Sequence, residues 1–324
     1  MAHDGLLDSS FSPLLGEPLL LCNADALPAP KPRAAIVIAV DRGGAVPEID
    51  PSQCDVLITT RMEAPLPWVS IPMARLNSQL KQARENIGRS PVAATVLTQV
   101  LRLSENLSFE DALAVESFAY SALLGGGEFQ DWRKSKCSLI KPAGGSVHYD
   151  RIDDSVTLVL ASPSTRNAMS AAMRDALYEA LANVVEDPSQ PTLSLRGEGR
   201  CFSSGGDIAE FGSASDLAAA HVVRTSRSCA ALLHRLKDRV EVRIHGACIG
   251  SGIEMAAACA RIFAAPNTFV HLPELKMGLI PGAGGTVTLP RRIGRHRTAW
   301  LALSGLRIGA TQGRAWGLLD MIMK

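Results

Sequence analysis

The chain has 324 residues, of which 47% are hydrophobic and 20% are charged, and its net charge is +1. This length and composition are typical of a globular protein with one large domain or two smaller ones. The balanced charge, without a dense basic run, argues against nucleic acid or an anionic membrane surface as the main partner.

Seven cysteines are scattered along the chain, without a C-x-x-C pair or a metal-like spacing. We therefore expect reduced thiols, no metal site and a cytoplasmic location. No apolar run approaches about 18 residues, and the N-terminus lacks the pattern of a signal peptide. Neither membrane spanning nor secretion is expected.

The first part of the chain predicts an N-terminal extension of residues 1–72. Residues 1–33 are rich in Leu, Pro and Ala, which predicts an irregular lead-in. Two β-rich runs follow, Ala34–Val40 and Asp55–Thr60, with the turn-prone stretch 41–52 between them. We predict a short strand pair here.

Residues 73–134 carry a helical pattern. Apolar residues recur at intervals of three and four from Leu76 to Ile87, and a break follows at Ser90. Ser108, with an acidic residue three positions later, is the predicted N-cap of a third helix that runs through Tyr120. We predict an all-helical segment.

Strands and helices alternate in residues 145–324. The predicted strands are 155–160, 192–196, 240–244 and 261–264, and the predicted helices are 171–185, 217–236 and one that begins at Gly252. Such alternation indicates an α/β fold, in which the loops that follow the strands carry the site.

Two glycine-rich segments after predicted strands can offer backbone N–H groups to a ligand. In residues 204–207 (Ser-Gly-Gly-Asp) the glycines permit positive φ and a close approach of the ligand. In residues 250–252 (Gly-Ser-Gly) the amides of the first helical turn lack partners within the helix. The Ser251 N–H is therefore free to stabilise a developing negative charge.

Two glutamates accompany these segments. Glu254 lies about one helical turn after Ser251, and Glu274 follows twenty residues later, ahead of the open loop around Gly282. Two carboxylates beside one oxyanion site are suited to general acid and base catalysis. The alternatives are an ordinary acid in the first turn of a helix for Glu254 and a solvated loop carboxylate for Glu274.

Together these segments resemble the enoyl-CoA hydratase/isomerase (crotonase) superfamily over residues 145–324. The matching stretches are GRCFSSGGDI, the G-x-x-x-G-x-G-x-E run that ends at Glu254, LPELKMGLIPGAGGT, LPRRIG and LSGLRIGATQGRAWGLLD. The resemblance implies a ββα superhelix core, oxyanion donors at Gly206 and Ser251, and catalytic glutamates at Glu254 and Glu274. It also implies that the Gly282 N–H helps to place a water molecule.

The resemblance further implies an acyl-CoA thioester as substrate, with no separate cofactor. The adenine end of coenzyme A is expected near Ser204, the pantetheine is expected to pass Arg166, and Asp207 is a further candidate for coenzyme A binding. The alternatives are a loop-packing role for Ser204 and a solvated surface position for Arg166.

The family core normally continues into C-terminal helices that cover the acyl pocket and help to form a trimer. In this chain the stretch ARENIGRSPVAATVLTQVLRLSENLSFEDALAVESFAYSALLGGGEF resembles those helices, yet it precedes the core. We therefore predict a circular permutation, with residues 135–147 as the bridge. The resemblance implies a homotrimer or a dimer of trimers.

The leading hypothesis for function is hydration of a 2-enoyl-CoA, or the reverse dehydration of a 3-hydroxyacyl-CoA. The alternatives are double-bond isomerisation, thioester hydrolysis or C–C cleavage at the same oxyanion site. A non-catalytic acyl-CoA binding protein is a further alternative. The sequence does not predict the acyl group.

Overall fold

The computed structural model describes residues 11–14, 18–27, 34–135 and 144–324. Most of the predicted bridge, and Cys137, lie outside these ranges. The helices are α1 (Met73–Arg89), α2 (Pro91–Ser104), α3 (Phe109–Leu124), α4 (Gly127–Ser135), α5 (Ala171–Glu186), α6 (Leu217–Ser226), α7 (Cys229–Arg235), α8 (Ser251–Ala256), α9 (Gly285–Ile293), α10 (Arg295–Ser304) and α11 (Ala310–Trp316).

The strands form three sheets. They are β1 (Leu19–Asn23), β2 (Ile36–Asp41), β3 (Val56–Thr59), β4 (Val69–Ser70), β5 (Val147–Ile152), β6 (Ser155–Leu160), β7 (Thr192–Gly197), β8 (Val240–Ile244), β9 (Ala247–Ile249), β10 (Arg261–Ala264), β11 (Phe269–His271), β12 (Ile308–Gly309) and β13 (Met321–Ile322). No helix of the described residues is both long and apolar enough to cross a membrane.

The largest sheet has the strand order β13-β10-β8-β7-β6-β5. Its neighbouring strands are parallel, except that β5 runs antiparallel to β6. A smaller sheet pairs β11 in parallel with β9 and antiparallel with β12. The predicted α/β class is confirmed, and the core strands predicted from the sequence are all present.

One predicted helix is divided in the structure. The single helix predicted for residues 217–236 is α6 followed by α7, and Arg227 lies between them with a non-helical backbone. The Ser228 hydroxyl accepts a hydrogen bond from the Ala231 N–H at 3.2 Å and so begins a new helix. A serine at this position favours the start of a new helix over continuation of the preceding one. Its side chain accepts a hydrogen bond from an amide in the first turn of the new helix that has no partner within that helix.

The helical segment predicted for residues 73–134 is confirmed as helical, with α4 as an additional helix. The predicted N-cap is present, since the Ser108 hydroxyl accepts from the Asp111 N–H at 3.1 Å. The Asn86 amide donates to the carbonyls of Leu303 and Ser304 at the end of α10. The carbonyls at the end of a helix have no partner within that helix. The Asn86 side chain supplies a donor to two of them and so connects the helical segment to the core.

The N-terminal extension contains more strands than the predicted pair. Both predicted strands are present, but β1 and β4 flank them in a four-stranded parallel sheet of order β1-β2-β3-β4. The connections from β2 to β3 and from β3 to β4 contain no α-helix. Strand β2 is buried along its whole length, with Ile36, Ile38 and Val40 in the main core and Val37 and Ala39 in a second apolar cluster.

Buried and partly buried arginines join this sheet to the helices. Arg102 of α2 donates through Nε and Nη2 to the two carboxylate oxygens of Asp55, both at 2.7 Å. At the start of α10, Arg295 donates to the Cys54 carbonyl at 2.8 Å, and Arg297 donates to the Trp68 carbonyl at 3.1 Å. Asp55 is only 1% exposed, and its Oδ2 also accepts from the Val37 N–H at 2.9 Å, so Arg102 and this amide both stabilise a buried negative charge.

We expect Asp55→Ala to destabilise the fold by about 3–5 kcal/mol, because it leaves the partly buried guanidinium of Arg102, and the buried guanidinium of Arg295 4.0 Å away, without this carboxylate. Chemical denaturation of the purified variant measures the change. As a control, Glu85→Ala removes a carboxylate from an exposed i,i+4 pair on α1 and should change stability by at most about 0.5 kcal/mol. Equal effects of the two substitutions would contradict a structural role for the Asp55 pair.

Candidate active site

A cavity of about 530 Å³ lies where the core and the helical segment meet. Its walls include Gly206, Ser251, Glu254, Glu274 and Gly282, which are the five predicted catalytic positions. The helical segment contributes Tyr120 and Leu124. The structure therefore brings the predicted catalytic residues together in one pocket of a size that suits a small-molecule ligand.

The two predicted oxyanion donors have free amides. Gly206 forms an isolated parallel bridge with Met169, in which the flanking groups bond: Met169 N–H donates to the Gly205 carbonyl, and Asp207 N–H donates to the Met169 carbonyl. Ser251 is the first residue of α8. Neither the Gly206 amide nor the Ser251 amide donates to any residue that the structure describes, so both can serve a ligand.

Two glycines give this loop region its shape. A Cβ atom on Gly206 would lie 2.6 Å from the ring of Phe211, so a side chain does not fit there. Gly250 has φ of 48° and ψ of −122°, a conformation that other residues rarely adopt. A Cβ atom on Gly250 would lie 2.5 Å from Glu274 Oε1 and 3.8 Å from Glu254 Oε1. Both carboxylates therefore approach the same point of the backbone, directly before Ser251.

Glu254 is held in place by amides of a neighbouring loop. Its Oε2 accepts from the Ala283 N–H at 2.7 Å and from the Gly285 N–H at 3.0 Å. The side chain is 2% exposed. Burial raises the pKa of Glu254 to about 7, and the amides of Ala283, Gly285 and Gly282 limit that rise. A carboxyl group of this kind can exchange a proton near neutral pH.

Glu274 differs from Glu254 in its surroundings. It is 7% exposed, and its buried Oε2 has no hydrogen-bond partner in the part of the chain that the structure describes. Burial, followed by the charge of Glu254, raises the pKa of Glu274 well above its ordinary value. Glu274 and Glu254 therefore titrate as a coupled pair.

A third buried carboxylate, Glu116, belongs to α3. Its Oε1 accepts from the Gly284 N–H, and its Oε2 accepts from the N–H and the hydroxyl of Thr286, all at 2.7 Å. Burial and the charge of Glu254 raise the pKa of Glu116 to about 8, against these hydrogen bonds. The sequence indicated a helix of the family's type here but assigned no role to Glu116. The signal that could have identified it is an acidic residue on the apolar face of a predicted helix.

Gly282 lies directly against the aromatic ring of Tyr120. A Cβ atom on Gly282 would be 2.5 Å from the ring, so the loop can approach α3 only with glycine at this position. Tyr120 was not predicted as a site residue, because its contact with Gly282 joins segments that are distant in the sequence.

Only one of the three candidates for coenzyme A binding lines the cavity. Asp207 lines the cavity and accepts from the Ala209 N–H at 3.0 Å. Ser204 and Arg166 are adjacent, since the Ser204 N–H donates to the Arg166 carbonyl at 2.9 Å, but neither lines the cavity. Arg166 is exposed and has positive φ. Their contact with coenzyme A stays a prediction.

A family model described as Enoyl-CoA hydratase/isomerase matches residues 152–324, which is more than half of the chain. The chain belongs to the enoyl-CoA hydratase/isomerase (crotonase) family. The match covers all of the predicted site residues, from Arg166 to Gly282.

Curated relatives and solved structures agree with this assignment. The chain is 33% identical over 174 residues to the enoyl-CoA isomerase/hydratase fer4 of Mycosarcoma maydis, over 51% of this chain and 64% of that protein. It is 33% identical over 163 residues to the 2,3-dehydroadipyl-CoA hydratase of Escherichia coli, over 50% of this chain and 63% of that protein. The chain thus spans a little under two thirds of these relatives.

Crystal structures of two enoyl-CoA hydratases share the fold. The one from Bacillus anthracis is 29% identical with a TM-score of 0.51, over 55% of this chain and 70% of that one. The one from Thermoplasma volcanium is 29% identical with a TM-score of 0.50, over 55% and 71%. The crotonase-like fold predicted from the sequence is therefore confirmed.

The raised pKa of Glu274 makes stability depend on pH. The folded state holds the proton more tightly than the unfolded chain, whose carboxyl pKa is about 4.3, so this contribution to stability is complete below that value. It is lost as pH rises toward the folded-state pKa. Relative to wild type, Glu274→Gln should therefore become increasingly stable from about pH 5 to pH 8.

Denaturant unfolding of wild type and Glu274→Gln at each pH gives this difference. Each unit by which the pKa is raised corresponds to about 1.4 kcal/mol. Glu85→Gln, on the exposed side of α1, reports the effect of losing a surface carboxylate. A difference between Glu274→Gln and wild type that does not vary with pH would show that Glu274 ionises as freely as in the unfolded chain.

Proposed function

We propose that this protein hydrates a 2-enoyl-CoA thioester, or dehydrates the corresponding 3-hydroxyacyl-CoA. The observation that carries the proposal is the convergence of Glu254 and Glu274 on Gly250, next to the free amide of Ser251. Family membership and the names of the relatives, which include hydratases, support it.

In this mechanism the thioester oxygen lodges between the amides of Gly206 and Ser251. Water attacks the β-carbon, and Glu254 takes the proton that the water loses. The electrons of the double bond move onto the thioester oxygen, where the two N–H donors stabilise the enolate. Glu274 then gives its proton to the α-carbon. The pair then holds the same number of protons as before, and a proton must pass from Glu254 to Glu274, directly or through solvent, before the next turnover.

The different surroundings of the two glutamates support this division of roles. Glu254, with a pKa of about 7 and N–H donors on its Oε2, is available as a base at neutral pH. Burial favours the protonated form of Glu274, and one of its oxygens has no hydrogen-bond partner among the described residues. Gly282 lies beside Glu254, and its N–H helps to place the water.

Double-bond isomerisation is the second candidate. The relative from Mycosarcoma maydis is named as an isomerase as well as a hydratase. An isomerase needs one carboxyl group that moves a proton between two carbons, and the unpartnered oxygen of Glu274 is suited to that task. Mass spectrometry separates the two reactions, because hydration adds the mass of water and isomerisation leaves the mass unchanged.

We further propose that residues 73–134 act as the lid that the family's C-terminal helices provide elsewhere, in a circularly permuted order. Tyr120 and Leu124 line the cavity, and Glu116 binds the start of α9, which supports this role. A homotrimer or dimer of trimers stays part of the same proposal.

We expect Glu274→Gln to lower kcat for hydration of crotonyl-CoA and cinnamoyl-CoA by about 10²–10⁴, which is the usual contribution of a general acid or base. Glutamine keeps the shape of the side chain but cannot deliver the proton. Loss of enoyl-thioester absorbance measures the rate. Glu85→Gln should retain wild-type activity, and an equally active Glu274→Gln would eliminate the proposed mechanism.

A further inference from the structure

Arginines line the part of the cavity that adjoins Tyr120. Arg174 and Arg224 belong to the wall of the main cavity, and they also line a smaller cavity of about 90 Å³ behind Gly282, where Arg227 joins them. Because Tyr120 packs on Gly282 and the Arg224 guanidinium lies 5.1 Å from the centre of the Tyr120 ring, these cations are neighbours of the acyl site.

Two of the three arginines have carboxylate partners. Asp175 lies between Arg174, at 2.9 Å, and Arg227, at 3.6 Å. Arg227 also pairs with Glu179. The two positive and two negative charges therefore balance one another. The charges of Arg174 and Arg227 are thus neutralised by protein carboxylates and do not require a ligand.

Arg224 has no such partner. Its Nε donates to the Ser117 hydroxyl at 3.0 Å and its Nη2 donates to the Ser121 hydroxyl, both on α3. Within the described ranges no carboxylate lies within ion-pair distance of Arg224, and its Nη1 donates to no protein atom. A partly buried charge is costly unless it is paired.

The acidic and phenolic groups around Arg224 do not supply the missing charge. Glu116 accepts its hydrogen bonds from Gly284 and Thr286 at the start of α9, and it forms no ion pair with Arg224. Burial raises the pKa of Tyr120, which stays neutral.

Three further acids line the main cavity. Asp207, Glu210 and Asp216 each accept a backbone N–H, from Ala209, Ala171 and Ala218 respectively. Their carboxylates are therefore held at local backbone positions, and none of them pairs with Arg224.

We propose that the acyl chain bound here ends in a carboxylate, and that the guanidinium of Arg224 binds it. The inference rests on the proposed function for the identity of the acyl-CoA, and it adds the chemical class of the acyl group. Ser117 and Ser121 fix the guanidinium against α3, which leaves its Nη1 edge for the ligand. Arginine is well suited to a planar carboxylate, because its N–H groups form a rigid fork.

Calorimetric titration with unreactive, saturated thioesters tests the inference. Adipoyl-CoA and hexanoyl-CoA have the same number of acyl carbons and differ by a terminal carboxylate, as do glutaryl-CoA and pentanoyl-CoA. Wild type should bind at least one carboxylate member roughly 10- to 100-fold more tightly than its neutral partner, as expected for hydrogen bonds to a charged group. Arg224→Met should abolish this preference, and Arg224→Lys should keep part of it.

Arg243→Met is the matched control, because Arg243 pairs with Glu241 on β8 and lies outside both cavities. It should retain the full preference. The comparison in wild type needs no variant, and equal binding of every matched pair overturns the inference. A full preference in a folded Arg224→Met protein overturns it as well.

Failure of the inference is distinguishable from failure of the proposed function. Carboxylate preference without hydration or isomerisation of any enoyl-CoA would remove the proposed reaction and support the Arg224 site. Hydration of neutral enoyl-CoAs, without carboxylate preference in binding, would support the reaction and overturn the Arg224 site.

Discussion

The amides of residues 283–286, at the beginning of α9, hold two buried carboxylates from opposite parts of the chain. Ala283 and Gly285 bind Glu254 of the core, and Gly284 and Thr286 bind Glu116 of the helical segment. Unpaired N–H groups at the start of a helix are among the few protein groups that can stabilise a carboxylate away from water. Without them, burial of either glutamate would be strongly unfavourable.

This loop also determines the chemistry available to the site. Since the amides of residues 283 and 285 hold Glu254 while Glu274 has no comparable support, two chemically identical side chains differ in proton affinity. Such a difference allows one carboxyl group to accept a proton while the other donates one. In the proposed mechanism the backbone, rather than the residue type, separates the two roles.

Much of the core could be predicted from the sequence, because local patterns determine it. Strand β6 and the position of Ser251 at a helix start follow from alternation and from the Gly-Ser-Gly run. Strand β1 could not be predicted, because its short Leu-rich run gains its regular structure by pairing with β2. The break between α6 and α7 depends on one serine hydroxyl, which a periodic pattern does not reveal.

The candidate site divides in the same way. Glu254 and Glu274 lie within motifs, so their positions could be predicted. Glu116, Tyr120 and Arg224 take part through contacts between α3 and distant loops or helices, and such contacts have no local signal. In the sequence, Arg224 cannot be distinguished from an ordinary surface arginine on a helix. Only the structure shows that no described carboxylate pairs with it.

The order of segments along the chain has a consequence for biosynthesis. A ribosome makes α1–α4 before α9 and α10, although α10 is buried at every position and packs against α1 and α2. The apolar surfaces of α1 and α2 that pack against α10 therefore lack this partner until α10 has been synthesised. The pocket can therefore be completed only after residues up to Ala283 have been synthesised.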